Sequence, residues 1–135
     1  KLIGPELDMY ANISAASSVV SQRLSADLAR SGLRCFWCYG DSHDWALIIG
    51  APDERQVREL SGEAQRVALA NRLISIIART VRLAEGFRLI IDIDSDERVN
   101  ANEGWFFRTR GDGPDGQSFS FNLRNGRAVS VAVPG

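Results

Sequence analysis

Lysine is all but missing from this 135-residue chain: Lys1 is the only one, and every other member of the sixteen basic residues is arginine. Set against 17 acidic residues, they leave a formal charge of −1. That balance lacks the strong positive footprint that binding along a phosphate backbone requires, so no nucleic-acid partner is expected. Long apolar runs are missing too. With no stretch of about 18 apolar residues, no transmembrane segment is expected and the chain as given should be soluble. Cysteine is scarce, at two residues, and histidine occurs once. Two cysteines do not mark an oxidising compartment, and a chain of this size needs no bridge to fold. The sequence starts at Lys1-Leu2 and not at methionine, so the lack of a leader there carries no information about compartment.

What is present is enough for one domain. At 44% hydrophobic residues, 135 residues can bury roughly two thirds of the unfolded surface. Between Glu6 and Arg30 there is neither proline nor glycine, and Leu7, Tyr10, Ile13, Ala16 or Ser17, Val20, Leu24 and Leu28 recur at three- and four-residue steps, which predicts one amphipathic helix stopped at Ser31-Gly32. Its serines, Ser14, Ser17, Ser18, Ser21 and Ser25, are small and predict a face on which another backbone packs closely. Leu33 to Tyr39 and Trp45 to Ile49 read as a hairpin, the second strand apolar on both faces and therefore central. Pro52-Asp53-Glu54 opens a long helical region running to Ala84, with Ser61-Gly62 as the place where it kinks or splits. Phe87 to Ile93 alternates as a half-buried strand, followed by an acidic loop. Trp105 to Arg110, Gln117 to Leu123 and Arg127 to Val133 then form a meander. For its last turn we expect a three-residue loop, Arg124-Asn125-Gly126, because it places Phe119 and Phe121 opposite Val131 and Val129.

The expected fold class is α+β: a central antiparallel sheet of five to six strands, with an N-terminal helix and a long middle helix packed on it, in the order α-β-β-α-β-β-β-β. That order resembles the profilin-like layout of roadblock, longin, PAS and GAF modules. The resemblance implies regulation, ligand sensing or dimer assembly.

Three constellations carry chemistry. Cys35-x2-Cys38-x4-His43 resembles the first three ligands of a retroviral-type zinc knuckle, with Ile48 where the fourth would stand. On a regularly alternating strand, however, Cys35 and Cys38 fall on opposite faces, about 10 Å apart at ~3.3 Å per residue, so both are expected to be structural core. Asp92 to Glu103 resembles the calcium loop of EF-hand proteins, through Asp92, Asp94, Asp96, Asn100 and Glu103, with Glu97 in place of the usual glycine. Arg58, Arg72 and Arg79 lie at heptad multiples and with Arg82 face an acidic partner or pair with Glu59 and Glu63. Trp37, Trp45 and His43 are a candidate ligand pocket. The expected cofactor is none, with calcium or zinc as the alternative.

No nucleophile–base pair stands at informative spacing and no glycine loop cradles phosphate, so no catalytic residue is assigned. The leading expectation is a non-catalytic regulatory or scaffold domain that binds protein, itself first of all, as a homo-oligomer. A sensor of small molecules or metal ions is the alternative, and an enzyme the third reading.

Overall fold

The computed structural model describes residues 18–101 and 117–131. Among them, helix α1 covers 18–29 and turns out through Ser31 and Gly32, the latter at φ 74°, a conformation open to glycine. Strands β1 (Arg34–Gly40) and β2 (Asp44–Ala51) follow as an antiparallel hairpin. Its turn is tied by Asp41, whose Oδ1 accepts hydrogen bonds from the backbone N–H of His43 and Asp44 at 2.7 and 3.1 Å.

The helical stretch after Pro52 is split in two at the Ser61-Gly62 pair. Helix α2 (Glu54–Glu59) starts at Asp53, whose Oδ1 accepts from the Gln56 N–H at 2.9 Å, and α3 (Glu63–Ala78) starts at an extended Gly62. Strand β3 (Arg88–Ser95) runs directly into α4 (Asp96–Ala101), with Ser95 Oγ accepting from the Arg98 N–H. The acidic segment expected as a loop is thus a short capped helix in this part, because Ser95 supplies the cap and Asp96 and Glu97 complement the helix dipole in its first turn. Strands β4 (Gln117–Arg124) and β5 (Arg127–Val131) close the chain. The expected strand at Trp105–Arg110 lies outside the described residues.

The class is α+β, with five strands among the described residues in the order β1-β2-β3-β4-β5. Three pairings are antiparallel, as expected, but β2 and β3 run parallel, which makes the sheet mixed. The reason is the connection: α2 and α3 lie between these strands, and a helical crossover returns the chain to the starting end of the sheet. Strand β2 lies between β1 and β3 and is buried along nearly its whole length, the central position its two apolar faces predict.

One face of the sheet carries the core. Trp45, Leu47 and Ile49 of β2, Leu89, Ile91 and Ile93 of β3, and Phe119 and Phe121 of β4 join Val20, Leu24 and Leu28 of α1 and Leu69, Leu73 and Ile77 of α3 in one cluster. The two helices run antiparallel across it. Arg72 of α3 pairs with Asp27 of α1 and donates to Ser31 Oγ at 3.1 Å, while Arg23 donates to Thr80 Oγ1 at 2.6 Å at the other end. Asn71 Oδ1 also accepts from the Ala128 N–H at 2.8 Å, which ties α3 to β5.

The last hairpin departs from expectation. Arg124 pairs with Arg127, Phe121 with Ser130 and Asn122 with Val129, so the turn has two residues, not three. Asn125 and Gly126 stand at φ 51° and 76°, the two left-handed residues of a type I′ turn, whose twist matches that of the flanking strands. The turn's geometry overrides the apolar pairing, and Val129 and Val131 are left exposed on the outer face.

Candidate functional site

Strand β1 carries a bulge. The pairing shifts between Cys35 and Trp37, so Cys35 faces Ile49 and Cys38 faces Leu47, with Phe36 as the extra residue. Ile49 and Leu47 both point into the core, and the bulge therefore puts the two cysteines on the same face, under α1. This corrects the strict alternation expected from the sequence. Phe36 is accommodated because Gly50 sits beside it: a Cβ there would collide with the Phe36 ring and with Asp96 Oδ1.

The two thiols are free and half-buried. They interact strongly. Hydrogen bonding from the Cys35 thiol is the largest influence on Cys38, lowering its pKa from about 9 to about 6 against the opposing effect of burial, with the Ser21 hydroxyl and the Trp45 indole also favouring the thiolate. Cys35 is pushed the other way, first by its bond to Cys38 and then by burial. Its sulfur also lies 3.6 Å from the Trp37 carbonyl oxygen. Trp45 is 1% exposed, and its Nε1–H has no hydrogen-bond partner of ordinary geometry. Leaving such a donor unmet costs roughly 1–3 kcal/mol.

The other sequence candidates separate. His43 is exposed in the β1–β2 turn, and no group of three or more His, Cys, Asp or Glu side chains that could hold a metal occurs among the described residues. Trp45 points into the core while Trp37 lies on the opposite face, 41% exposed, so with His43 they do not line one pocket. Asp92 and Asp94 belong to β3 and Asp96 to α4; the side chain of Asn100, and Glu103 altogether, lie outside the described residues. Asp94 is buried, accepts from the Ser95 N–H at 2.8 Å and faces Arg98 at 3.9 Å. Arg98 in turn holds Glu54 of α2 at 2.8 Å.

The arginines do gather, though not along one helix. The break at Gly62 removes Arg58 from the heptad line and leaves it exposed on α2, and Arg82 is exposed beyond α3. Arg72 and Arg79 instead meet Arg23 and Arg30 of the first helical segment across an open groove of about 410 Å³. Ala26, Ser75 and Ile76 form its floor, and Asp27 is its one acidic lining residue. Arg23 and Arg30 were not singled out by sequence, although their seven-residue spacing repeats that of Arg72 and Arg79. No family model, curated protein or solved structure matches the chain.

Proposed function

We propose that this is a non-catalytic regulatory or scaffold domain that binds protein through the groove between α1 and α3, and that the partner segment is an acidic amphipathic helix. The groove's four guanidinium groups around one carboxylate carry the reading. Residues seven apart on a helix lie on one face about 10.5 Å apart, and with Arg30 and Arg79 each in the turn just past its helix the two antiparallel helices frame a channel with positive charge at both ends. A third helix with carboxylates at heptad spacing matches that separation. The small floor residues Ala26 and Ser75 let its backbone come close. Arg30 and Arg79 have no ion pair among the described residues and can meet an incoming carboxylate without breaking an internal contact. Arginine suits this task because its planar fork grips a carboxylate in two places.

The test is fluorescence anisotropy with a labelled helical peptide carrying glutamates seven residues apart, alongside the same peptide with lysines. The glutamate peptide should bind, more weakly as salt is raised, and the combined change Arg30→Glu and Arg79→Glu should weaken it by about tenfold or more. Equal affinity for both peptides, indifference to charge reversal, or capture of inorganic pyrophosphate in place of the peptide would each reject the reading.

Self-association has its own support. Among the described strands β1 lies at an edge, and Trp37 and Tyr39 are 41% and 52% exposed on its outward face. A second copy pairing along that edge would cover both rings. Native mass spectrometry over a dilution series should then show a dimer that Tyr39→Lys dissociates; a monomer at every concentration removes this route.

A further inference from the structure

We propose that Cys35 and Cys38 form a reversible oxidation site, in which a hydroperoxide oxidises Cys38 and Cys35 resolves the product to a disulfide within β1. The bulge at Phe36 makes this available, since it alone turns both side chains to one face. Opposite Ile49 and Leu47, the two residues stand two ladder positions apart, about 6.6 Å at ~3.3 Å per residue. That separation falls at the long end of the span a disulfide bridges, roughly 4.4–6.8 Å between α carbons.

The surroundings distinguish this pair from inert core cysteines. Cys35, Ser21 of α1 and the Trp45 indole all favour the Cys38 thiolate over its thiol. The thiolate is the nucleophilic form. Both cysteines are half-buried, so a small peroxide can reach them. A third protein ligand that would make the pair a metal site does not occur among the described residues.

The chemistry balances in two steps. The Cys38 thiolate attacks the terminal peroxide oxygen, the S–O bond forms as the O–O bond breaks, and the departing alkoxide takes a proton from water, leaving a sulfenic acid and an alcohol. Cys35 sulfur then attacks the Cys38 sulfur, the S–S bond forms as the S–O bond breaks, and hydroxide leaves with the Cys35 proton as water. Two thiols and one hydroperoxide thus give one disulfide, one alcohol and one water, the sulfurs losing the two electrons that the peroxide gains.

The experiment treats the reduced 135-residue chain with stoichiometric tert-butyl hydroperoxide. Tryptic cleavage after Arg34 and Arg55 leaves both cysteines in one peptide, 35–55. That peptide should lose two hydrogens, resist alkylation, and recover its alkylation after dithiothreitol. With Cys35→Ser the reaction should stop at a sulfenic acid that dimedone traps on Cys38; with Cys38→Ser, Cys35 should stay reduced at the same peroxide. Ser21→Ala, a change on a half-buried helix position that leaves the core intact, should slow the first step severalfold. Absence of the disulfide, oxidation of Cys35 as fast in the Cys38→Ser chain as of Cys38 in the native one, or a Cys38 rate equal to that of free cysteine would overturn the proposal.

Discussion

One inserted residue, Phe36, decides what the cysteines can do. The pair itself was visible in the sequence, but its shared face was not: that depends on a bulge and on Gly50 across the ladder leaving room for a ring, a long-range fact that strand periodicity does not encode. The pH dependence of stability follows from the shifts. Cys38 in the folded state loses its proton near pH 6, whereas in the unfolded chain it keeps it to about pH 9, so the unfolded state binds more protons between those limits and stability rises with pH across them. The gain is lost as pH falls through about 6. Cys35, shifted upward, has the opposite sign, and stability declines above about pH 9 where only the unfolded state ionises it. The groups facing Cys38 in this balance are Cys35, Ser21 and Trp45. Urea denaturation across this range should show that rise and fall, and Cys38→Ser should flatten the rising limb; near-ultraviolet thiolate absorbance should report a midpoint near pH 6 in the native chain. Gly50→Ala should cost about 1–3 kcal/mol, read as a lower denaturation midpoint, since the Cβ meets the Phe36 ring and the Asp96 carboxylate at once.

Among the elements, the strands and the start and split of the middle helix followed from periodicity, glycine and capping residues, whereas α3 ends at Ala78 and not Ala84, α4 stands where a loop was expected, and the expected start of the first helix at Glu6 lies outside the described residues. Asp53 and the Ser61-Gly62 pair stand where the chain starts, then splits, its middle helical stretch. The register of the β4–β5 hairpin did not follow from apolar pairing. Asn125-Gly126 adopts the turn natural to those two residues, and Val129 and Val131 go outward as a result. Replacing Gly126 by alanine should therefore destabilise by about 1–2 kcal/mol, because a Cβ is disfavoured at positive φ, while Gly126→Asn should lose less. The arginine groove was half legible: Arg72 and Arg79 are visible by spacing, but their counterparts come from a helix brought alongside only by the fold. Arg72 has a structural task as well. Its pairing with Asp27 is partly exposed, with side-chain exposures of 38% and 24%, so a double-mutant cycle between Arg72→Ala and Asp27→Ala should give a coupling of about 1 kcal/mol.

Across the molecule, burial concentrates on the middle of the sheet. Strands β2 and β3 carry the most deeply buried residues and have neighbours on both sides, whereas β1 and β5 are the edges among the described strands. Native-state hydrogen exchange should be slowest for Leu47, Ile49, Leu89 and Ile91 and should begin at β1 and β5; equal protection throughout the sheet would contradict this picture. The same centre holds the sole parallel pairing of the described strands, and only the chain through α2 and α3 connects its two sides. The polypeptide is therefore two locally knitted pieces that meet along the β2–β3 ladder, across the α1–α3 helix pair and at the Arg98–Glu54 ion pair. A nick at Ser61–Gly62 would leave each piece with its own hairpin and a complementary apolar margin. Fragments 1–61 and 62–135, produced together, should find each other and restore the sheet as a noncovalent pair, an outcome that a sheet built only of consecutive hairpins has no reason to favour.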